Sequence, residues 1–136
     1  MKKPFKTIFL QDWGTYSYQT VVTVGLHRED ILRWAKKNLS PKKFKAIQDN
    51  EELKEDLEFC EGYFIWVKGN AKISVLWLRE WSTKWFWIDT LAHELNHAIH
   101  AWADYAVLTE EDEAKAYQFE YLFRKMREEL ERRRKL

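Results

Sequence analysis

Residues 85–105 read WFWIDTLAHELNHAIHAWADY, a run that contains neither proline nor glycine. Ile88, Leu91 and Leu95 recur at the three- and four-residue spacing that places side chains on one face of a helix. The pattern predicts an α-helix from about Trp85 to Tyr105. Such a helix would be roughly 30 Å long, enough for other elements to pack along it.

The middle of this helix is His93-Glu94-Leu95-Asn96-His97, which has the form H-E-x-x-H. Two histidines four residues apart leave the same face one turn from each other, so both rings can bind one metal ion. Zinc held in this way activates a water molecule, and Glu94 beside the first histidine can take its proton. The motif predicts Zn²⁺ as cofactor and a hydrolase, with peptide bonds as the first choice of substrate. The alternative is a helix whose histidines have only structural roles.

The third zinc ligand has to come from outside the motif, because a catalytic zinc takes three protein ligands and a water. His100 lies on the same stripe as His93 and His97, but about 10 Å along the helix axis from His93, too far to share the ion. A glycine and a third histidine at the spacing of the extended H-E-x-x-H-x-x-G-x-x-H motif are also missing. We therefore expect a carboxylate from the last helix, and the candidates are Glu110, Glu111, Asp112 and Glu113.

The segment from Glu113 to Phe119 reads EAKAYQF. It resembles the E-x-x-A-x-x-F stretch that follows H-E-x-x-H in gluzincin-type zinc metallopeptidases, above all in ImmA/IrrE-like and phage-encoded groups and in the one-domain minigluzincins. The resemblance extends over about residues 85–123. It implies a zincin-like fold, a peptidase activity, His93, His97 and Glu113 as zinc ligands, and Glu94 as general base. It also implies that Ala116 lets the last helix pack close to the motif helix. Asp112 remains the reserve ligand, since it lies nearer the centre of the helix's apolar face.

The remaining pattern alternates strands in hairpins with blocks of helix, which is typical of an α+β fold. We expect one zincin-like domain over residues 1–136, with a small antiparallel or mixed sheet, the long H-E-x-x-H helix and a C-terminal helix carrying the glutamate. Ser40-Pro41 predicts a helix start, and Thr109 to Asp112 resembles a capping box. The predicted strands are Phe5–Leu10, Thr15–Val24, Tyr63–Val67 and Ile73–Leu78, and the predicted helices are Arg28–Asn38, Pro41–Asp49, Trp85–Tyr105 and Glu110–Arg134.

Further roles are open for residues near the motif. Tyr117 and His100 are candidates for stabilising the transition state or supporting a ligand, and Asp89 and Asp104 for orienting a ligand histidine. A peptide substrate would add as a strand to a sheet edge, for which Ile73–Leu78 is our choice. Five aromatic residues could wall a hydrophobic cleft, although we expect at least half of them in the core: Trp77, Trp81, Trp85, Phe86 and Trp87.

The composition indicates the localisation and the binding partners to expect. The net charge is +1, Cys60 is alone, and no signal peptide or membrane span is expected, which points to the cytoplasm. The high Lys, Arg and Glu content is compatible with a thermophilic source. We expect a peptide or protein substrate, no membrane and no nucleic acid. The alternatives are a zincin-like protein that binds zinc without catalysis, a nucleic-acid-binding module using the basic tail, and an interaction protein using the last helix. The oligomeric state is open.

Overall fold

A computed structural model describes residues 4–14, 18–54, 60–67, 72–105 and 112–135, with the side chains at 54, 103–105, 112 and 113 outside that description. The chain is α+β, with a mixed four-stranded sheet and four α-helices. The strands are β1 (Thr7–Asp12), β2 (Gln19–Val24), β3 (Gly62–Trp66) and β4 (Ile73–Leu78), and the helices are α1 (Arg28–Asn38), α2 (Pro41–Gln48), α3 (Trp85–Tyr105) and α4 (Asp112–Arg134), with a short 3-10 helix at Glu52–Lys54.

The sheet has the strand order β1-β2-β4-β3. β1 pairs antiparallel with β2, β2 pairs parallel with β4, and β4 pairs antiparallel with β3. All six residues of β4 are buried, as expected for a strand in the middle of a sheet that is covered on both faces. β1 and β3 are the two edges.

Helices cover the two faces of the sheet and divide the core into two clusters. On one face, Ile31 and Ala35 of α1 and Ile47 of α2 pack against alternate residues of the central strands, including Val21 and Val75. On the other face, α3 and α4 bury a longer apolar stripe against the same strands. This second stripe consists of Trp87, Leu91, Leu95, Ala98, Ile99 and Trp102 of α3 and Leu122, Met126 and Leu130 of α4.

A buried polar chain joins the two central strands. Trp13 Nε1 donates to Thr20 Oγ1 at 2.7 Å, and that hydroxyl lies 2.8 Å from Ser74 Oγ on the neighbouring strand. Gln118 Nε2 of α4 donates to the carbonyl of Trp13 at 3.0 Å. Each of these groups would cost free energy if it were buried without a partner, so the chain ties α4 to one end of the sheet.

The local predictions hold for most elements. α1 has the predicted bounds, α2 begins at Pro41 with Ser40 Oγ accepting from the Lys43 backbone N–H, and α3 spans the predicted residues. Both predicted hairpin pairings are present, although β1 is shifted to Thr7–Asp12 and β2 begins at Gln19. The turn at 68–71 and the predicted cap at Thr109 lie outside the described residues. No helix in the described ranges is both long and apolar enough to cross a membrane.

Two predictions about packing are wrong. Ile73–Leu78 is not an edge strand of the sheet, because β2 and β3 flank it on both sides. The strand directly precedes α3 in the sequence, but this does not determine its position in the sheet. The apolar spacing of the last helix predicts a face made of Ala116, Phe119, Phe123, Met126 and Leu130. Met126 and Leu130 are buried, as is Leu122, but Ala116 is exposed.

Candidate metal centre

The two histidines of the motif lie side by side on α3. Their Nε2 atoms are 3.3 Å apart, and their rings stand nearly perpendicular, at 85°. Both residues are exposed, so the nitrogens face each other at the surface of the helix. The regular, uninterrupted helix from Trp85 to Tyr105 sets this spacing, since residues four apart are stacked one turn from each other.

This separation fits a shared metal ion. Two ligands about 2.0–2.1 Å from a tetrahedral zinc lie roughly 3.3–3.4 Å from each other. The observed 3.3 Å between His93 Nε2 and His97 Nε2 matches that geometry without any change of rotamer. The donor set is also one that zinc prefers, because neutral imidazole is its commonest nitrogen ligand.

Glu94 completes the cluster. One ligand atom from each of His93, Glu94 and His97 can be chosen so that all three lie within 4.8 Å of one another. Glu94 Oε1 is 3.8 Å from His93 Nε2. Helical geometry alone predicts that the Glu94 side chain leaves the helix about 100° from the histidines. The Glu94 carboxylate nevertheless lies close to the histidines. The direction of the Cα–Cβ bond therefore does not determine the position of the carboxylate.

The surroundings of Glu94 and of the histidines differ sharply. Glu94 is 7% exposed, lying between α3 and the first residue of β3. Burial raises the pKa of the Glu94 carboxyl above its usual value, while the neighbouring His93 and His97 act in the opposite direction. A carboxyl with a raised pKa is better matched to accepting and returning a proton near neutral pH.

The histidine stripe of α3 faces solvent. Asp89, His93, His97 and His100 are all exposed, so no burial penalty demands a metal partner for the rings. The side chain of Asp104 lies outside the described residues. The same face continues to Trp85, 73% exposed, and Phe86, 38% exposed, whereas Trp77, Trp81 and Trp87 are buried in the core. Three of the five aromatics are therefore core residues, and two stand at the start of α3 beside the histidine stripe.

β3 borders the cluster on the Glu94 side. Phe64 and Trp66 pack with the α3 core and Ile65 with the opposite core, so Gly62 is on the α3 face of the sheet. The Arg79 N–H donates to the Glu61 carbonyl. By the alternation of an antiparallel ladder, the N–H and C=O groups of Gly62 and Phe64 point away from β4. No strand pairs with that side of β3 in the part of the chain that the structure describes.

α4 borders the cluster on the other side. Trp81 Nε1, just before α3, donates to Glu131 Oε1 near the end of α4 at 2.8 Å, so the two helices run antiparallel. Between them is a cavity of about 310 Å³ whose lining includes Asn96 and His100 of α3 and Ala116 and Glu120 of α4. Glu120 therefore lines the same cavity as Asn96, the residue before His97.

Glu113, the ligand that the resemblance implies, is one of the first residues of α4. It lies seven residues before Glu120, roughly 10 Å back along the helix toward the segment that joins α3 to α4. Its side chain and that of Asp112 lie outside the described residues, as do Glu110 and Glu111 entirely. The position of Glu113 as third ligand stays a prediction.

The two supporting candidates have distinct positions. His100 lines the α3–α4 cavity, about one turn beyond His97. Tyr117 is 66% exposed on α4, one turn after Glu113 and three residues before Glu120. On an α-helix, Glu113, Tyr117 and Glu120 share one stripe, and of these Glu120 lines the cavity beside α3.

Sequence reasoning missed two residues of this site. Gly62 opens β3 directly against Glu94, and its only signal was a glycine at the start of an apolar strand. Glu120 is a single acidic residue in an otherwise apolar stretch, Phe119 to Phe123. Its place in a cavity with Asn96 and His100 follows from the packing of two helices, which no local pattern encodes.

No family model matches this sequence, and no curated protein or solved structure resembles it significantly. The chemistry of the site therefore has to be argued from its own residues.

Proposed function

We propose that this chain is a zinc-dependent metallopeptidase with a gluzincin-like site. His93 and His97 would bind the metal, a carboxylate of α4 would be the third protein ligand, and Glu94 would be the general base. The observation that carries the proposal is the 3.3 Å separation of the two Nε2 atoms, with the Glu94 carboxylate beside them and solvent in front. This is the separation that two ligands of one tetrahedral zinc require.

Each residue has a defined task in the hydrolysis. A zinc ion bound there would supply a Lewis acid that polarises the peptide carbonyl and lowers the pKa of water. Glu94 accepts a proton from the attacking water and returns it to the leaving amine. Its burial between α3 and β3 holds the carboxylate close to His93 and excludes competing solvent on that side. The exposure of both histidines leaves the opposite side open to a substrate.

The outer side of β3 is the surface we propose for an extended substrate. Gly62 and Phe64 direct their backbone N–H and C=O groups away from β4, and Gly62 touches Glu94. A peptide that adds to β3 as a further strand would therefore bring a carbonyl near Glu94 and the histidine pair. The substrate edge is β3 in this proposal, in place of the strand chosen from the sequence.

Two carboxylates of α4 compete for the role of third ligand. The resemblance to gluzincins supports Glu113, with Asp112 in reserve, while the cavity that Glu120 shares with Asn96 and His100 of α3 supports Glu120. Glu120 is exposed, so its side chain can change rotamer without disturbing the core. Glu94 would be the general base with either ligand.

Metal analysis and hydrolysis assays with matched variants test the proposal. The purified chain is expected to bind about one zinc and to cleave quenched-fluorescent peptides. His93→Ala should weaken zinc binding by more than about 100-fold, because loss of a ligand exceeds the roughly 10- to 100-fold cost of losing a ligand's supporting residue. Glu94→Gln should keep the zinc and lower kcat by at least about 100-fold. His27→Ala, at the start of α1, is the matched control and should change neither quantity.

The outcomes separate the competing functions. Zinc binding without hydrolysis, in both the parent and Glu94→Gln, would favour an inactive zincin-like protein. If the chain has no affinity for zinc, both the metallopeptidase and the inactive zincin-like protein are excluded. Salt-sensitive binding of DNA or RNA by the metal-free chain would instead favour the nucleic-acid-binding module.

A further inference from the structure

Gly62 is in unusually close contact with α3. A Cβ built at this position would lie 2.9 Å from Cγ and 3.4 Å from Cδ of Glu94, and 2.8 Å from Cγ2 of Thr90. Separations below 3.0 Å are shorter than carbon atoms tolerate, so any side chain here would have to displace Glu94, Thr90 or the strand itself. The first residue of β3 is thus packed directly against the stem of the proposed base.

The backbone does not require glycine at this position. Gly14 and Gly25 have φ values of +73° and +69°, a region that other residues rarely adopt. Gly62 is not among the positive-φ residues, and it lies within a regular strand paired with Leu78. A glycine in a strand weakens it unless something needs the space, and here the space is filled by the Glu94 side chain.

We propose that Gly62 is a positioning residue for Glu94. Because Gly62 has no side chain, it leaves a space at the edge of the sheet, and the Cγ and Cδ atoms of Glu94 occupy that space. This packing directs the Glu94 carboxylate back toward His93. The inference rests on the proposed function for its meaning in catalysis. It accounts for a feature that helix geometry alone does not explain. The Glu94 side chain leaves α3 about 100° away from that of His93, yet Glu94 Oε1 lies only 3.8 Å from His93 Nε2.

A methyl group at position 62 would occupy the space that the Glu94 side chain fills, and it would turn the Glu94 carboxylate away from the histidines. We expect His93 and His97 to keep their positions, because the three atoms nearest to such a methyl group belong to Thr90 and Glu94. Metal binding and catalysis should therefore respond differently. A displacement of the base by about 1 Å is enough to cost roughly 100-fold in rate.

The test uses Gly62→Ala in a Thr90→Ser background, in the zinc-loaded full chain. Serine at position 90 lacks the Cγ2 that the new methyl group would meet and keeps the hydroxyl that donates to the Phe86 carbonyl, so the nearest remaining contacts are those with Glu94. We expect kcat for a fluorogenic peptide to fall about 100-fold, with KM and zinc affinity unchanged within about twofold. Gly14→Ala is the control: it strains a positive φ at the opposite end of the sheet, where no described residue beyond its chain neighbours lies within 4 Å of the added Cβ, and it should keep kcat.

A thermal double-mutant cycle tests the same contact without any activity. In the metal-free Thr90→Ser chain, Gly62→Ala should lower Tm, and this drop should shrink to about half or less when Glu94→Ala removes the atoms that the methyl group meets. An unchanged kcat, a parallel loss of zinc affinity, or equal Tm drops in both backgrounds would overturn the inference. If the parent hydrolyses nothing, the proposed function fails, while the cycle still decides whether Gly62 positions Glu94.

Discussion

Glu94 and the histidines on either side of it meet solvent in opposite ways. The side chain of His93 is 70% exposed, whereas that of Glu94 is 9% exposed. A buried carboxylate has a restricted set of positions, and an exposed imidazole pair leaves room for a metal and a substrate. This division is what a fixed base and an accessible metal require.

If α4 supplies the third ligand, as proposed, zinc affinity can distinguish its candidates Glu113 and Glu120. If Glu120 is the ligand, Glu120→Ala should weaken zinc binding by more than about 10-fold and Glu113→Ala should leave it nearly unchanged; the reverse result assigns Glu113. Competition with a zinc-binding dye measures both. Glu128→Ala, an exposed glutamate further along α4, is the matched control. If neither Glu120→Ala nor Glu113→Ala changes the affinity, and Asp112→Ala, at the reserve ligand, leaves it unchanged as well, the proposal that α4 supplies the third ligand is wrong.

At the scale of elements, α4 is attached to the sheet at both ends. Near its start, Gln118 bonds to Trp13. Near its end, Arg133 donates to the Thr7 hydroxyl and to the Ile8 carbonyl of β1, and its guanidinium lies 4.9 Å from the Phe9 ring centroid. Arg133 also donates to Glu129 at 2.7 Å. These contacts hold α4 against the sheet, and they thereby help to set which of its carboxylates face α3.

Glu129 makes this attachment sensitive to acid. Its hydrogen bond from Arg132, together with that from Arg133, lowers the pKa of the Glu129 carboxyl to about 2 from the usual 4.5. A lowered pKa stabilises the folded chain above about pH 4.5, and that contribution is lost as the pH falls from there toward 2. Because Arg132 is 57% exposed, solvent screening keeps the effect to about 1 kcal/mol or less.

Urea unfolding at several pH values checks this prediction. Between pH 5 and about 3, the parent should lose more stability than Glu129→Gln, which has no carboxylate to protonate, and the two should respond alike where the carboxylate stays ionised. Glu120→Gln, at an exposed position on the same helix, controls for the general loss of negative charge. Identical pH dependence of Glu129→Gln and the parent would show that the Arg132 and Arg133 contacts do not stabilise the fold.

At the scale of the whole molecule, the candidate centre lies where three elements meet. α3 supplies the histidines and the base, β3 borders them on one side, and α4 borders them on the other. A metal bound by α3 and α4 would cross-link the two helices that form one layer of the fold. Metal binding and global stability should therefore be coupled.

Zinc is expected to raise Tm by about 10 °C when its free concentration is 100 times its dissociation constant, since that excess stabilises the folded state by about 2.7 kcal/mol. Differential scanning calorimetry over a zinc titration measures the shift, and a chelator should reverse it. His97→Ala should abolish the effect, while His27→Ala should retain it. A Tm that does not depend on zinc in the parent would contradict the coupling.

The sequence was sufficient wherever near neighbours along the chain decide the outcome. The helices α1 and α3, the Ser40-Pro41 start of α2 and the pairing of β3 with β4 were all predicted, because periodicity, capping and turn chemistry act over a few residues. The side-by-side placement of His93 and His97 belongs to the same class, since it needs only a regular helix.

Tertiary structure decided the features that depend on distant parts of the chain. It placed β4 inside the sheet and β3 at its edge, packed Glu94 against Gly62, and put Glu120 in a cavity with Asn96 and His100 of α3. None of these has a local signature, because each follows from how whole strands and helices share the burial of two apolar faces. The sequence by itself determined which residues could form a metal centre; the packing of α3 between β3 and α4 determined how the base is held and which side of the centre is open.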